Sequence, residues 1–335
     1  MHGHINRTAP ILNRRQVTVG TLAAGAMLAL PGFGRFASAR QAADLASLGL
    51  PTLDVAVSAA GYEGIPESLP AGRYLLTLSV GSDLETGEAA FVQPPAGTSA
   101  ADFLGGIGVS VGDDAASPAA SDDSAEASPA AEEGEGEEGG NFALPDYIYR
   151  ATFAGGAGGT GGATYTTVID LNEGEWFAWG DTPDSPVPPV IFNVTGAFPE
   201  SPADPGADVQ ISLFEFDISA EGALTAGEHI VQLTNIGAQP HFLDMFKVTD
   251  GTTNDDLTAL INADMTGTPV PEGGLNFEAD FSDEFITQTQ SIGVSTWFKY
   301  TFKPGTYAVM CWFPNAGTGA PHAMLGMHDV IEFTA

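Results

Sequence analysis

Apolar and polar side chains alternate with a period of two along Leu53–Ser58 and again along Val209–Phe214, where Val209, Ile211 and Leu213 take one face and Gln210 and Ser212 the other. Successive side chains of a strand point to opposite sides of its sheet, so this period predicts strands with one buried face. Short runs of the same kind recur between turns rich in the chain's 42 Gly and 23 Pro, and sustained helical periodicity is nearly absent. An all-β fold is predicted.

The runs also repeat in order. Leu53–Leu76 and Asp208–Leu233 each read as an alternating strand, a polar turn, then Ala-Gly opening a second strand, at Ala71-Gly72 and Ala226-Gly227. Each copy continues with a short acidic helix signal, Ser99–Gly106 and Thr253–Ala263. Each then has a chain-reversing glycine before an aromatic-rich strand, Gly174–Trp179 and Gly305–Met310, and closes on an apolar strand. A repeated unit of this size predicts two β-sandwiches in tandem, residues 50–197 and 206–335, joined by the proline-rich stretch 198–205.

Residues 1–39 predict a twin-arginine export signal. Arg14 and Arg15 precede the apolar run 18–33, and Ala37-Ser38-Ala39 supplies a small-residue cleavage site. The mature chain is expected to be periplasmic, extracellular or on the cell surface, or tethered if the signal is kept. No later stretch predicts membrane insertion.

All 43 acidic residues lie beyond that signal, and the net charge is −33. Such a surface excludes nucleic acid as a partner and favours a partner protein with a basic docking face. Ten of the acids fall in residues 113–138, which hold no aromatic and no basic residue. The insertion 113–142 is therefore expected to be a disordered, solvated spacer inside the first copy.

Cys311 is the only cysteine. In an exported chain it has no disulfide partner, and either hides in a core or does chemistry. It follows the strand Gly305–Met310, with His322 and Met327 in the loop beyond it and His241 seventy residues upstream. Two imidazoles, a thiolate and a thioether make the ligand set of a mononuclear electron-transfer copper site: soft sulfur suits the reduced metal and imidazole the oxidised one. Taken singly, His241 reads as a strand histidine, His322 as a turn cap, and Cys311 and Met327 as core fillers. His229 and His328 read as surface or supporting residues. Met245, Met310 and Met324 read as packing, with Met324 a competitor for the axial place. The first copy holds no histidine or cysteine, and Gly180 stands where the second has Cys311. Trp176, Phe177 and Trp179 are then core or interface aromatics, or an exposed pair for a carbohydrate or a partner.

The segments Ala223–Val248 and Phe302–Met327, about half of the second copy, resemble the cupredoxins, the Greek-key sandwiches that hold type 1 (blue) copper. The resemblance implies one copper ion held by His241, Cys311, His322 and Met327 in the C-terminal copy alone. It also implies a carrier of single electrons, with His322 near the loop surface as their exit. Ten residues separate Cys311 from His322, more than is usual in the family, and Gly317, Gly319 and Pro321 would let the longer loop fold back. Copper oxidases and nitrite reductases of this kind carry a histidine beside the cysteine. Met310 and Trp312 stand there in this chain, and few histidines remain for a second centre, so a carrier rather than a catalyst is expected. The alternatives are copper sequestration or delivery, and a non-redox cell-surface module on the same scaffold.

Overall fold

The computed structural model describes residues 44–109, 144–180 and 187–335. The expected signal (1–39) and acidic insertion (113–142) lie outside the described residues. The first part of the chain forms β1 (Thr52–Ser58), β2 (Gly61–Glu63), β3 (Ser68–Pro70), β4 (Gly72–Val80), β5 (Thr86–Gln93), α1 (Ala100–Gly106), β6 (Thr152–Thr160), β7 (Thr164–Leu171), β8 (Gly174–Trp179) and β9 (Val190–Thr195). The second forms β10 (Val209–Phe214), β11 (Asp217–Gly222), β12 (Gly227–Asn235), β13 (Asp244–Val248), α2 (Asn254–Thr266), β14 (Phe281–Ile286), β15 (Ser295–Phe302), β16 (Gly305–Met310) and β17 (His328–Phe333). Among the described residues no helix is long and apolar enough to cross a membrane.

These strands build β-sandwiches, and the repeat read from the sequence holds element by element. β6-β5-β8-β9 and β14-β13-β16-β17 lie side by side in the same order in their two sheets. β1 pairs antiparallel with β2 and parallel with β4, as β10 does with β11 and β12. The predicted alternation is realised: Leu53, Val55 and Val57 of β1 and Val209, Ile211 and Leu213 of β10 are buried. Both short helices start on capped turns. Ser99 accepts from the Asp102 amide, and Thr253 forms a reciprocal capping box with Asp256, satisfying amides that a helix start leaves free. Gly174 and Gly305 open β8 and β16 with φ of 143° and 123°, a backbone that a side chain would strain.

The two sandwiches are not separate beads. β7 and β15, equivalent strands of the repeat, pair antiparallel through Trp297↔Val168 and Phe298↔Thr167, and so merge one sheet from each half into a single eight-stranded sheet. Arg73 braces this seam. Its guanidinium lies 4.5 Å over the Trp297 ring, forks onto Asp170 at 2.7 and 2.8 Å, and donates to the Ala203 carbonyl at 2.8 Å, which pins the proline-rich connection. A second contact joins Ser291 to the backbone of Ala151 and Phe153.

Burial follows the same plan. Trp176 sits in a core between the sheets of the first half, while Phe177 and Trp179 point the other way, into the large core that also holds Cys311. All three are core or interface aromatics, with Trp176 fully buried and Trp179 5% exposed. Gly180 follows β8 as Cys311 follows β16.

Candidate metal centre

The loop from Cys311 to Met327 is tied to itself by its backbone. The Cys311 amide donates to the Met327 carbonyl (3.1 Å), and the Ala323 amide donates to the Cys311 carbonyl (2.6 Å). The His322 amide donates to Phe313 (2.9 Å), and the Met327 amide to His322 (3.0 Å). The long excursion between cysteine and histidine closes on Asn315, whose amide donates to Ala320 and whose side-chain oxygen accepts from the Gly317 and Thr318 amides. His241 is fixed separately by a two-way backbone pair with Gln290. Asn235 supports that segment by donating to the Gln239 and Gln290 carbonyls, at 2.8 and 2.7 Å. Gln239 then links the two loops, accepting from the Ala316 amide at 2.7 Å.

These restraints bring three donor atoms together. His241 Nδ1 lies 2.9 Å from His322 Nδ1, and Cys311 Sγ lies 3.7 Å from each. Three atoms so spaced lie on a circle of radius about 2.0 Å, the length of a bond from a first-row metal to an imidazole nitrogen. One ion therefore fits between them once the sulfur moves outward by about 0.3 Å, to the length of a metal–thiolate bond. All three side chains are fully buried, and among the described residues they are the group of histidine, cysteine and carboxylate side chains that could hold a metal. Met327 is fully buried too and is held beside Cys311 and His322 by its backbone bonds.

Burial sets the protonation states. It lowers His241 to about 4, and lowers His322, with His241 as a neighbour, to about 3, so both imidazoles stay neutral and able to ligate. It pushes the Cys311 thiol up to about 12, against the lowering effect of the Phe242 and Phe313 amides. The thiol therefore keeps its proton until a cation takes its place on the sulfur and the proton is released to solvent. A consequence follows for the metal-free protein. Between pH 6.5 and about 4 the unfolded chain takes up protons at both histidines that the folded chain refuses, so stability falls as pH falls. Each unit costs about 1.4 kcal/mol per histidine once pH is below 6.5. Guanidinium unfolding at pH 7 and pH 5 should show a larger loss in the wild type than in a His241→Asn, His322→Asn variant. Equal losses would mean that the imidazoles are not held neutral.

The remaining candidates fall outside the cluster. Both ring nitrogens of His328 are engaged, Nδ1 with the Ala323 carbonyl (2.9 Å) and Nε2 with Thr258 (2.8 Å). His229 lies on β12, its Nε2 2.9 Å from the Thr225 carbonyl. Met245 and Met310 are buried packing, and Met324 is half-buried at the edge of that core. His322 departs from expectation: it is fully buried rather than near the surface, with Phe216 and Phe313 packed on its ring at 5.4 and 6.0 Å. Phe313 is in turn held by Tyr149 and Phe153 of the first half, and Tyr149 donates to the Pro314 carbonyl.

No family model matches this chain, and no curated protein matches it. Solved structures do. Dithionite-reduced auracyanin from Roseiflexus castenholzii is 18% identical over 38% of this chain and 95% of its own, with a TM-score of 0.23. The copper nitrite reductase from Nitrosomonas europaea is 10% identical over 84% and 93%, with a TM-score of 0.20. A multi-copper oxidase from Pediococcus acidilactici is 11% identical over 85% and 59%, with a TM-score of 0.22. The chain is similar to copper proteins. TM-scores at this level assign neither a carrier's nor a catalyst's role to this chain, and the case for a metal rests on the side chains described above. One expectation is corrected by these neighbours. Those that span most of the chain are largely copper oxidases and nitrite reductases, which are enzymes, so the reading of a carrier that catalyses nothing does not stand. Counting histidines within one chain does not bound what an assembly of chains can hold.

Proposed function

We propose that His241, Cys311, His322 and Met327 hold one copper ion as a type 1 centre through which single electrons pass. The observation that carries this is the convergence of two imidazole Nδ1 atoms and one thiol sulfur about 2.0 Å from a common point, in a fully buried site. Copper, when bound, supplies a one-electron couple that a mixed imidazole and sulfur set serves in both oxidation states. The protein's own part is to hold the donors still and exclude water. The knit loop 311–327 and the His241–Gln290 pairing fix the donors before any ion arrives, and the dry surroundings keep solvent from reorganising as charge changes. An exported, strongly acidic protein would meet a redox partner through a basic face on that partner.

An absorption spectrum of copper-loaded protein, taken before and after reduction, tests this. A strong visible thiolate-to-copper band that bleaches on reduction is the expected result. A colourless protein that takes up only cuprous ion would replace the proposal with copper delivery or sequestration, and one that takes up neither ion would leave a metal-free surface module.

A further inference from the structure

One tight turn touches both imidazoles. β10 and β11 are joined by only Glu215 and Phe216, since Phe214 pairs with Asp217 across the hairpin. Phe216 stands at φ 62°, left-handed backbone that a bulky residue rarely adopts. Held that way, its ring meets His322 edge-on, with the centroids 5.4 Å apart. Its neighbour Glu215 faces the other histidine. The carboxylate accepts from the backbone amides of Ala238 and Gln239, and its Oε1 lies 3.7 Å from His241 Nε2. That ring nitrogen is buried and makes no hydrogen bond of its own. Room for this edge exists because residue 237 is glycine: a Cβ there would stand 2.6 Å from His241 Nε2 and 3.0 Å from Glu215 Oε2.

Resting on the copper reading above, we propose that Glu215 is the outer partner of His241. An imidazole bound through Nδ1 carries its proton on Nε2, and a carboxylate facing that proton makes the ring a stronger donor and favours the more highly charged ion. Glu215 is a positioning residue in this account. It touches no metal, it acts through His241, and its two amide bonds hold it in place while the strained turn beside it sets the angle of approach. The effect is selective: the added negative charge stabilises cupric more than cuprous ion and so lowers the reduction potential of the site.

The test is Glu215→Gln, which keeps an oxygen for the Ala238 and Gln239 amides and removes only the charge. Cupric and cuprous dissociation constants and the midpoint potential are measured on the full chain. The cupric constant should rise about 10- to 100-fold, the cuprous constant less, and each tenfold of difference should raise the midpoint by about 59 mV. Glu215→Asp, which keeps the charge but withdraws it, should fall between the two. An unmoved potential would overturn the inference, as would equal weakening of both ions, which is the mark of a merely structural role. A wild type without the thiolate-to-copper band would sink the copper reading itself, whereas a normal wild-type band with an unmoved Glu215→Gln potential sinks only the assignment of Glu215.

Discussion

Cys311→Ser eliminates the visible thiolate-to-copper band and weakens copper binding by roughly two orders of magnitude or more, about one ligand's share of the 10–16 kcal/mol that four-ligand sites supply. The reason is that a hydroxyl is not a soft anionic donor. Among the described histidine, cysteine and carboxylate side chains, Sγ is also one of the three donor atoms gathered round the common point, 3.7 Å from each imidazole nitrogen. Titration of the variant with cupric ion, followed by absorption and by a competing chelator, checks both parts. His328→Ala is the matched control. Its ring nitrogens are already committed to Ala323 and Thr258, so the band stays. Colour retained by the serine variant would mean that the sulfur is not a ligand.

Phe313→Ala has the second large effect, and it falls on stability. The ring is 5% exposed and lies between His322 on one side and Tyr149 and Phe153 on the other, so it is the contact through which the first half braces the ligand loop. Deleting it leaves a cavity that close-packed neighbours on three elements fill only in part, at a cost of about 3–5 kcal/mol. Tyr149→Phe, which removes the hydrogen bond to Pro314 and keeps the ring, costs only about 0.5–1.5 kcal/mol. Guanidinium unfolding of both variants and of the double mutant separates packing from hydrogen bonding, and the pair should prove non-additive because the residues touch. A loss below about 1 kcal/mol for Phe313→Ala would mean that the loop stands without support from the first half.

The residues that were legible in the sequence are those whose role is local. Val209, Ile211 and Leu213 alternate because a strand has two faces, and Gly174 and Gly305 mark turns because few other residues hold such a φ. Cys311, His322 and Met327 lie close in the chain after one strand, so the sequence alone groups them. His241 joined them through the order of elements alone. The residues that were not legible depend on contacts between distant segments. The pairing of β7 with β15 rests on two residue pairs, and nothing in either strand advertises it. The burial of His322 is not legible in its own neighbourhood because its cover comes from Phe216 and Phe313, one of them on a hairpin about a hundred residues upstream. Glu215 looks like any exposed acid in a chain with 43 of them, and Gly237 beside His241 was the one local signal that something approaches that ring closely.

The join between β7 and β15 has a consequence for how copies of this protein behave together. A strand at the rim of a sheet offers a row of bare amides and carbonyls on which another polypeptide can extend, the usual starting point for fibrils. Here two strands that would otherwise be such rims close on each other within one molecule. What is left at the ends of the long sheet is β2, three residues long, and β11, which carries Asp217 and Glu221. Short and negatively charged, neither end makes a good template, and the surplus of acidic residues keeps neighbouring copies apart in a crowded solution.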